Sequence, residues 1–308
     1  MIPILISGMR QAWRGETTVS RRDAVGSNLL SAWKATSVAP TDLVRGPVLI
    51  AAPHPDDEVL GCGELIVSLA AVDPAAVTVA VATNGDLSPR LPGRVPEEGL
   101  ADVRSRESAK ALARLCLPPE RLTFFGLPDG NLRACRTRLE EALAEAVRQS
   151  KARELFVPFR YDSHPDHMAL HAAGVRVATA CPGLDLFEYF VYPRWRLLRA
   201  GDVRCYLAPG ELLALDASAT AAVAKREALD EYRSQTTLWI QGQKRPILFP
   251  ALLDRICAEA ETFVRYDPRR RGAGIFSGSA LWFRLVLRVE PPLKRWKDRE
   301  CERIGWSQ

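Results

Sequence analysis

The chain has 308 residues and a mass of 34.1 kDa, with 47% hydrophobic and 26% charged residues. These values exclude a disordered chain, a collagen-like chain and a coiled coil, and the length admits one large domain or two small ones without disulfide support. The net charge of +5 is too mild to argue for a nucleic-acid partner, and no apolar run approaches the roughly 18 residues of a membrane span.

From the N-terminus, residues 1–45 read as an extension. Met1–Gly8 is too short for the apolar region of a secretory leader. Ser20-Arg21-Arg22 faintly resembles a twin-arginine signal, but Ser27, Ser31 and Lys34 make the next stretch poorly apolar, so export is not expected. Val48–Ala52 (VLIAA) is the continuous apolar run of a strand buried on both faces. Leu60–Val72 follows as a helix, with Leu65, Ile66, Leu69 and Val72 at helical spacing. Val77–Thr83 is a second strand, ended by Asn84-Gly85-Asp86, and Val103–Cys116 a second helix. Leu122–Phe125 is a short strand closed by Pro128-Asp129-Gly130. Arg138–Lys151 is helical by propensity, Glu154–Phe159 is the fourth strand, Asp166–Cys181 a helix and Leu186–Tyr192 the fifth strand. This alternation predicts an α/β fold, with a mostly parallel sheet covered by helices and right-handed crossovers.

Beyond residue 200 the pattern is mixed. Ala219–Arg233 and Ala251–Tyr266 read as helices. Leu281–Val289 alternates apolar residues with Arg284 and Arg288, as a half-buried strand does. The turn Arg269-Arg270-Arg271-Gly272 and the tail after Pro291 read as flexible. The predicted division is therefore 1–45, a main domain over 46–270, and a C-terminal strand with a basic tail over 271–308. That tail carries Lys294, Arg295, Lys297 and Arg299 beside Trp296, and is read as solvated rather than as a membrane contact. The seven cysteines (Cys62, Cys116, Cys135, Cys181, Cys205, Cys257, Cys301) stand singly, with no CxxC pair, which points to reduced thiols and a cytoplasmic protein.

The four histidines fall in two places. His54 lies in Pro53-His54-Pro55-Asp56-Asp57-Glu58; the others lie in His164-Pro165-Asp166-His167-Met168-Ala169-Leu170-His171. Both clusters begin just after a strand's C-terminal end, where open α/β sheets bind ligands. Imidazole and carboxylate are typical zinc ligands, and two imidazoles with one carboxylate leave the open position of a catalytic site. His54 and Asp57 are three apart across a turn, so both can face one ion, with Asp56 left free as a base for activated water. In the second cluster, His164 with His167, or His167 with His171, can chelate by spacing alone; His171, one turn further along, reads better as core or as support. Asp166 is at hand to orient an imidazole. A lone histidine at a strand end is usually structural, and an Asp-Asp pair before a helix is often only a cap. The coincidence of HPDDE and HPDH at equivalent strand ends weighs against both.

These residues resemble the PIG-L/LmbE family of zinc-dependent N-deacetylases. The resemblance rests on HPDDE with Leu60-Gly61-Cys62-Gly63, on Thr83-Asn84-Gly85-Asp86 and on HPDH. Weaker echoes are Arg104 with Glu107, Leu127-Pro128-Asp129-Gly130, and Lys225, Ala228, Tyr232, Ser234 and Gln235. It covers roughly residues 46 to 265. It implies a Rossmann-like three-layer fold and removal of the N-acetyl group from an N-acetylglucosamine-type sugar or glycoconjugate. By motif, His54, Asp57 and His167 would hold Zn²⁺, with Fe²⁺ as the alternative occupant. Asp56 would be the general base, and His164, oriented by Asp166, the stabiliser of the oxyanion or the acid for the leaving amine. Arg104 would contact substrate, and Arg194 would be a further cation of the site. Glu64 stands where the family often has a second glycine; its carboxylate is expected to be solvated. The competing readings are another metal hydrolase, an amidase or phosphoesterase, and a non-catalytic carbohydrate-binding protein. An intact base argues against the last, and no P-loop or HExxH motif is present.

Overall fold

The computed structural model describes residues 35–87, 99–160, 162, 164–191, 211–240, 242–243 and 246–267. Arg194, the predicted strand over 281–289, the Arg269–Gly272 turn and the basic tail lie outside the described residues. In chain order the elements are β1 (Thr36–Val38), α1 (Pro40–Leu43), β2 (Val48–Ala52), α2 (Asp57–Ala70), β3 (Val77–Thr83), α3 (Leu100–Arg114), β4 (Leu122–Leu127), α4 (Arg136–Ser150), β5 (Glu154–Pro158) and α5 (Pro165–Ala180). They continue with β6 (Asp185–Tyr189), β7 (Leu212–Leu215), α6 (Ala219–Asp230), α7 (Arg233–Thr236), α8 (Pro250–Ala258) and β8 (Thr262–Tyr266).

The described strands form one eight-stranded sheet in the order β1-β7-β8-β6-β5-β2-β3-β4. Every pairing is parallel except those of β8, which runs antiparallel between β6 and β7. The apolar runs explain why the sheet is covered on both faces. In β2, Val48, Ile50 and Ala52 join one core with α2, α6 and α8, while Leu49 and Ala51 join a second core with Leu139 and Leu143 of α4 and Leu170 and Val177 of α5. Each such fully buried Leu, Ile or Val contributes about 1.5–3 kcal/mol relative to exposure. The α/β, mostly parallel, three-layer architecture expected from the sequence is thus the one observed.

Two segments differ from the sequence reading. Ala251–Tyr266 is not one helix: α8 ends at Ala258, and Thr262–Tyr266 is strand β8. Its buried Phe263 and Val264 suit a strand as well as a helix by periodicity, and pairing with both β6 and β7 decides for the strand. The sheet also takes in Thr36–Val38, paired with β7, although these residues fall inside the segment read as an extension.

The chain path places the site. From β2 it moves outward to β3 and β4, then returns to the other side of β2 to lay down β5 and β6. The direction reverses between β2 and β5, the point at which open parallel sheets form a crevice beyond their strand ends. His54 follows β2 and His164 precedes α5 just after β5.

Candidate metal centre

The turn after β2 is the unusual piece of backbone. Asp56, the residue before α2, has φ 115° and ψ −32°. A non-glycine residue there costs about 1–3 kcal/mol and persists only where its surroundings over-determine it. They do so here. Pro53 O accepts from Thr83 N and Thr83 Oγ1, both at 3.0 Å, which ties the turn to the end of β3. Gln235 Nε2 donates to Pro55 O at 2.7 Å, and the Asp56 N–H donates to Glu58 Oε2 at 3.1 Å. Glu58 Oε1 accepts in turn from the Tyr232 hydroxyl. Asp56 O then starts α2 by accepting from Val59 N at 3.0 Å and Leu60 N at 2.8 Å.

The two histidine clusters meet at this turn. The ring centroids lie 4.8 Å apart for His54 and His164, 5.4 Å for His54 and His167, and 5.0 Å for His164 and His167. One nitrogen from each of the three rings falls within 4.8 Å of the others, the spread of a single ion's ligand shell. Asp57 sits between them: its Oδ2 is 3.1 Å from His54 Nδ1 and 3.1 Å from His167 Nε2. Its Oδ1 is buried and has no hydrogen-bond partner among the described residues. Such an orphan is costly unless a partner arrives, and with the imidazole and carboxylate donors this cluster fits a divalent cation. The structure therefore brings together His54, Asp56, Asp57, His164 and His167. His171 is not in this group; its Nε2 lies 2.9 Å from Glu188 Oε1.

Carboxylates surround this cluster. His54 Nε2 lies 3.2 Å from Asp166 Oδ2 and 3.3 Å from Asp129 Oδ1. His167 Nδ1 lies 3.2 Å from Asp162 Oδ2, whose other oxygen accepts the His164 backbone N–H at 2.9 Å. The Asp166 carboxylate is also held by Gly130 N at 2.7 Å and Leu132 N at 3.0 Å, joining the loop after β4 to the start of α5. Its carboxylate thus serves His54. Toward His164 it is the Asp166 backbone N–H that acts, donating to Nδ1 at 3.3 Å as an N-cap bond.

The charges follow from burial and these partners. Burial works against a charged His54, yet Asp129, Asp166 and Asp57 outweigh it and hold its pKa well above the ordinary value. Burial likewise opposes the charge on His167, but Asp57 and Asp162 raise it to about 9. His164 goes the other way: burial, then the His54 and His167 charges, lower it to about 4. For Asp57, burial would raise the pKa, but His167 and His54 hold it well below the usual carboxylate range. Burial and the Asp57 charge push Asp56 well up, opposed by Arg104. Burial pushes Glu58 up to about 7, against its bond from Tyr232.

Arg104, expected at the substrate, is 2% exposed, and its Nη1 donates to the Gly85 carbonyl. Glu64, expected in solvent, is buried, and its backbone N–H donates to Glu261 Oε1 at 2.8 Å. Asp129 and Asp162 carried no role in the sequence reading. The signal for Asp129 was the LPDG echo; for Asp162 it was only its place two residues before His164.

Residues 49–178 match the family model PIG-L, described as GlcNAc-PI de-N-acetylase. Among curated proteins the chain is similar to 2'-N-acetylparomamine deacetylase of Streptomyces fradiae, with 32% identity over 163 residues, covering 47% of this chain and 57% of the relative. The chain thus spans a little over half the length of that relative. Among solved structures it is similar to the conserved protein TT1542 from Thermus thermophilus, with 25% identity and a TM-score of 0.50 over 74% of this chain and 100% of that one. The zinc-inhibited form of teicoplanin deacetylase Orf2 has a TM-score of 0.54 at 19% identity, over 72% of this chain and 99% of that one, and shares the fold.

Proposed function

We propose that the chain is a metal-dependent N-deacetylase that hydrolyses the N-acetyl group of an N-acetylglucosamine-type sugar or glycoconjugate. The observation that carries this reading is the convergence of His54, Asp57, His164 and His167 beside the strained Asp56 at the sheet's switch point. The PIG-L match over 49–178 supports the reaction, and the printed name of the Streptomyces fradiae relative supports an N-acetylated amino sugar as the substrate class.

His54, Asp57 and His167 would hold the ion, Zn²⁺ in this reading, with Fe²⁺ as the alternative. Bound there, it would supply a Lewis acid for water and the acetyl carbonyl, and a positive charge that returns Asp56 to its ionised form. Asp162 and Asp166, with Asp129, would fix the orientation of the two ligand imidazoles. Asp56 then accepts the proton of the attacking water and returns it to the departing amine, so that acetate and the free amino sugar leave.

The role of His164 follows from its own hydrogen bond. Its Nδ1 accepts the Asp166 N–H, so in the neutral ring the proton sits on Nε2. An Nε2–H is a donor, not a ligand, and suits the oxyanion that develops on the acetyl carbonyl. Arg104, buried and donating to the Gly85 carbonyl, would favour the ionised form of Asp56 through its charge.

The test is mass spectrometry for acetyl loss from a panel of N-acetylglucosaminyl conjugates, alongside phosphoester substrates, with and without chelator. Chelator-sensitive loss of acetyl, abolished by Asp56→Asn with metal content retained, is expected. Turnover confined to phosphoesters, or insensitive to chelation, refutes the reading.

A further inference from the structure

The strained Asp56 backbone is held from the far end of the chain. The Pro55–Asp56 peptide is gripped at both of its polar ends. Its carbonyl accepts from Gln235 Nε2 at 2.7 Å, and its N–H donates to Glu58 Oε2 at 3.1 Å. Gln235 lies on the four-residue α7, 180 residues away in sequence, and is 3% exposed. Two further contacts fix it there. Its own carbonyl accepts from Leu248 N at 2.9 Å, and Ser234 beside it binds Glu107 of α3 through N at 2.8 Å and Oγ at 2.6 Å. Glu58 is held by the hydroxyl of Tyr232, which is fully buried and also lies 3.3 Å from Ser108 Oγ.

This peptide governs the torsion that makes Asp56 unusual. The carbonyl of Asp56 is already committed to the first turn of α2. Rotation about its N–Cα bond therefore depends on which way the preceding peptide faces. Flipping that peptide would carry φ 115° back toward the ordinary negative range, but would break the bonds to Gln235 and Glu58 together. Among the described residues, no hydrogen bond joins Gln235 or Glu58 to an imidazole of the cluster.

We propose that Gln235, Glu58 and Tyr232 are positioning residues that lock the Pro55–Asp56 peptide against this flip and so hold the Asp56 carboxylate at the metal pocket. The proposal rests on the deacetylase reading for its kinetic consequence, though not for its structural one. Misplacing a reacting group by about 1 Å costs on the order of 10²-fold in rate, and turning this peptide over would tilt the Asp56 Cα–Cβ bond that carries the carboxylate while leaving the ligand residues in place.

Gln235→Met keeps the side chain's length and removes the donor. In the metal-loaded protein kcat is expected to fall by about 30- to 100-fold, with KM and bound metal within twofold of the unaltered chain. A crystal structure of the variant is expected to show Asp56 at negative φ. Tyr232→Phe, which leaves Gln235 and the acceptor on Glu58 in place, is expected to lower kcat by about 5- to 10-fold and serves if Gln235→Met does not fold. A variant that holds metal and keeps kcat within about threefold overturns the proposal, as does one that loses kcat while Asp56 stays near φ 115°. If the unaltered chain shows no deacetylation at all, the proposed function fails, and the φ of Asp56 in the variant still decides whether the lock exists.

Discussion

In the metal-free protein the buried His167 behaves as a pH-dependent strut, and removing its proton measures what the cluster contributes. Its ring lies 3.1 Å from Asp57 Oδ2 and 3.2 Å from Asp162 Oδ2, without exposure to solvent. Burial opposes its charge, and the two carboxylates overcome that and raise the pKa from 6.5 to about 9. At 1.36 kcal/mol per pH unit this corresponds to about 3 kcal/mol, shared with Asp57 and Asp162 and counted once. The contribution is fully present below pH 6.5, where folded and unfolded chains both bind the proton, and is lost as pH rises through about 9. His54, also raised, acts in the same direction, as does Glu58, raised to about 7 and losing its contribution as pH climbs through that value. A divalent ion needs neutral imidazoles, so it competes with these protons and binds more tightly as pH rises. The assay is urea unfolding of chelator-treated protein at pH 6.5, 7.5 and 9, repeated in excess zinc. The metal-free chain is expected to lose about 3 kcal/mol across this range, and added zinc to restore more at pH 9 than at pH 6.5. Metal-free stability that is flat or rising from pH 6.5 to 9 would refute the reasoning.

Other expectations follow from single contacts. Asp162→Asn weakens the orientation of His167 and lowers metal affinity by about 10- to 100-fold in chelator competition. His164→Ala removes the expected oxyanion donor and lowers kcat by about 10²- to 10³-fold with metal content unchanged. Lys225→Met strands Glu261, whose buried carboxylate lies 2.7 Å from Lys225 Nζ and also accepts Glu64 N and Leu65 N, and costs about 3–5 kcal/mol in urea melts. Adding Glu261→Leu recovers most of that loss; simple additivity would count against a coupled pair. Gly61→Ala sets a methyl group against the fully buried Tyr189 ring, 2.8 Å from Cε2, and is expected to destabilise the chain by about 1–3 kcal/mol in the same melts.

Much of the fold was legible because burial on both faces leaves a local mark. VLIAA and VTVAVAT announce central strands, and the amphipathic spacing between them announces the covering helices. The chemistry-bearing residues were legible for a related reason. HPDDE and HPDH sit where the chain leaves β2 and β5, and strand ends can be read without knowing the sheet order. Residues 262–266 were not legible as a strand, since five half-apolar residues beside a helix carry no distinguishing period. Glu64 looked like a surface residue because Glu261, which accepts its backbone N–H, lies 197 positions further on.

The sequence by itself determined an α/β chain with a histidine and carboxylate cluster at two strand ends, because periodicity and residue type are local properties. Only the tertiary structure decided which acid faces which imidazole: Asp166 and Asp129 against His54, Asp162 against His167, and the Asp166 backbone against His164. It also assigned Gln235 to the peptide before Asp56. The reason is physical. A carboxylate's partner is set by a few ångströms of convergence between segments that the topology brings together from opposite ends of the chain, and no local pattern encodes that distance.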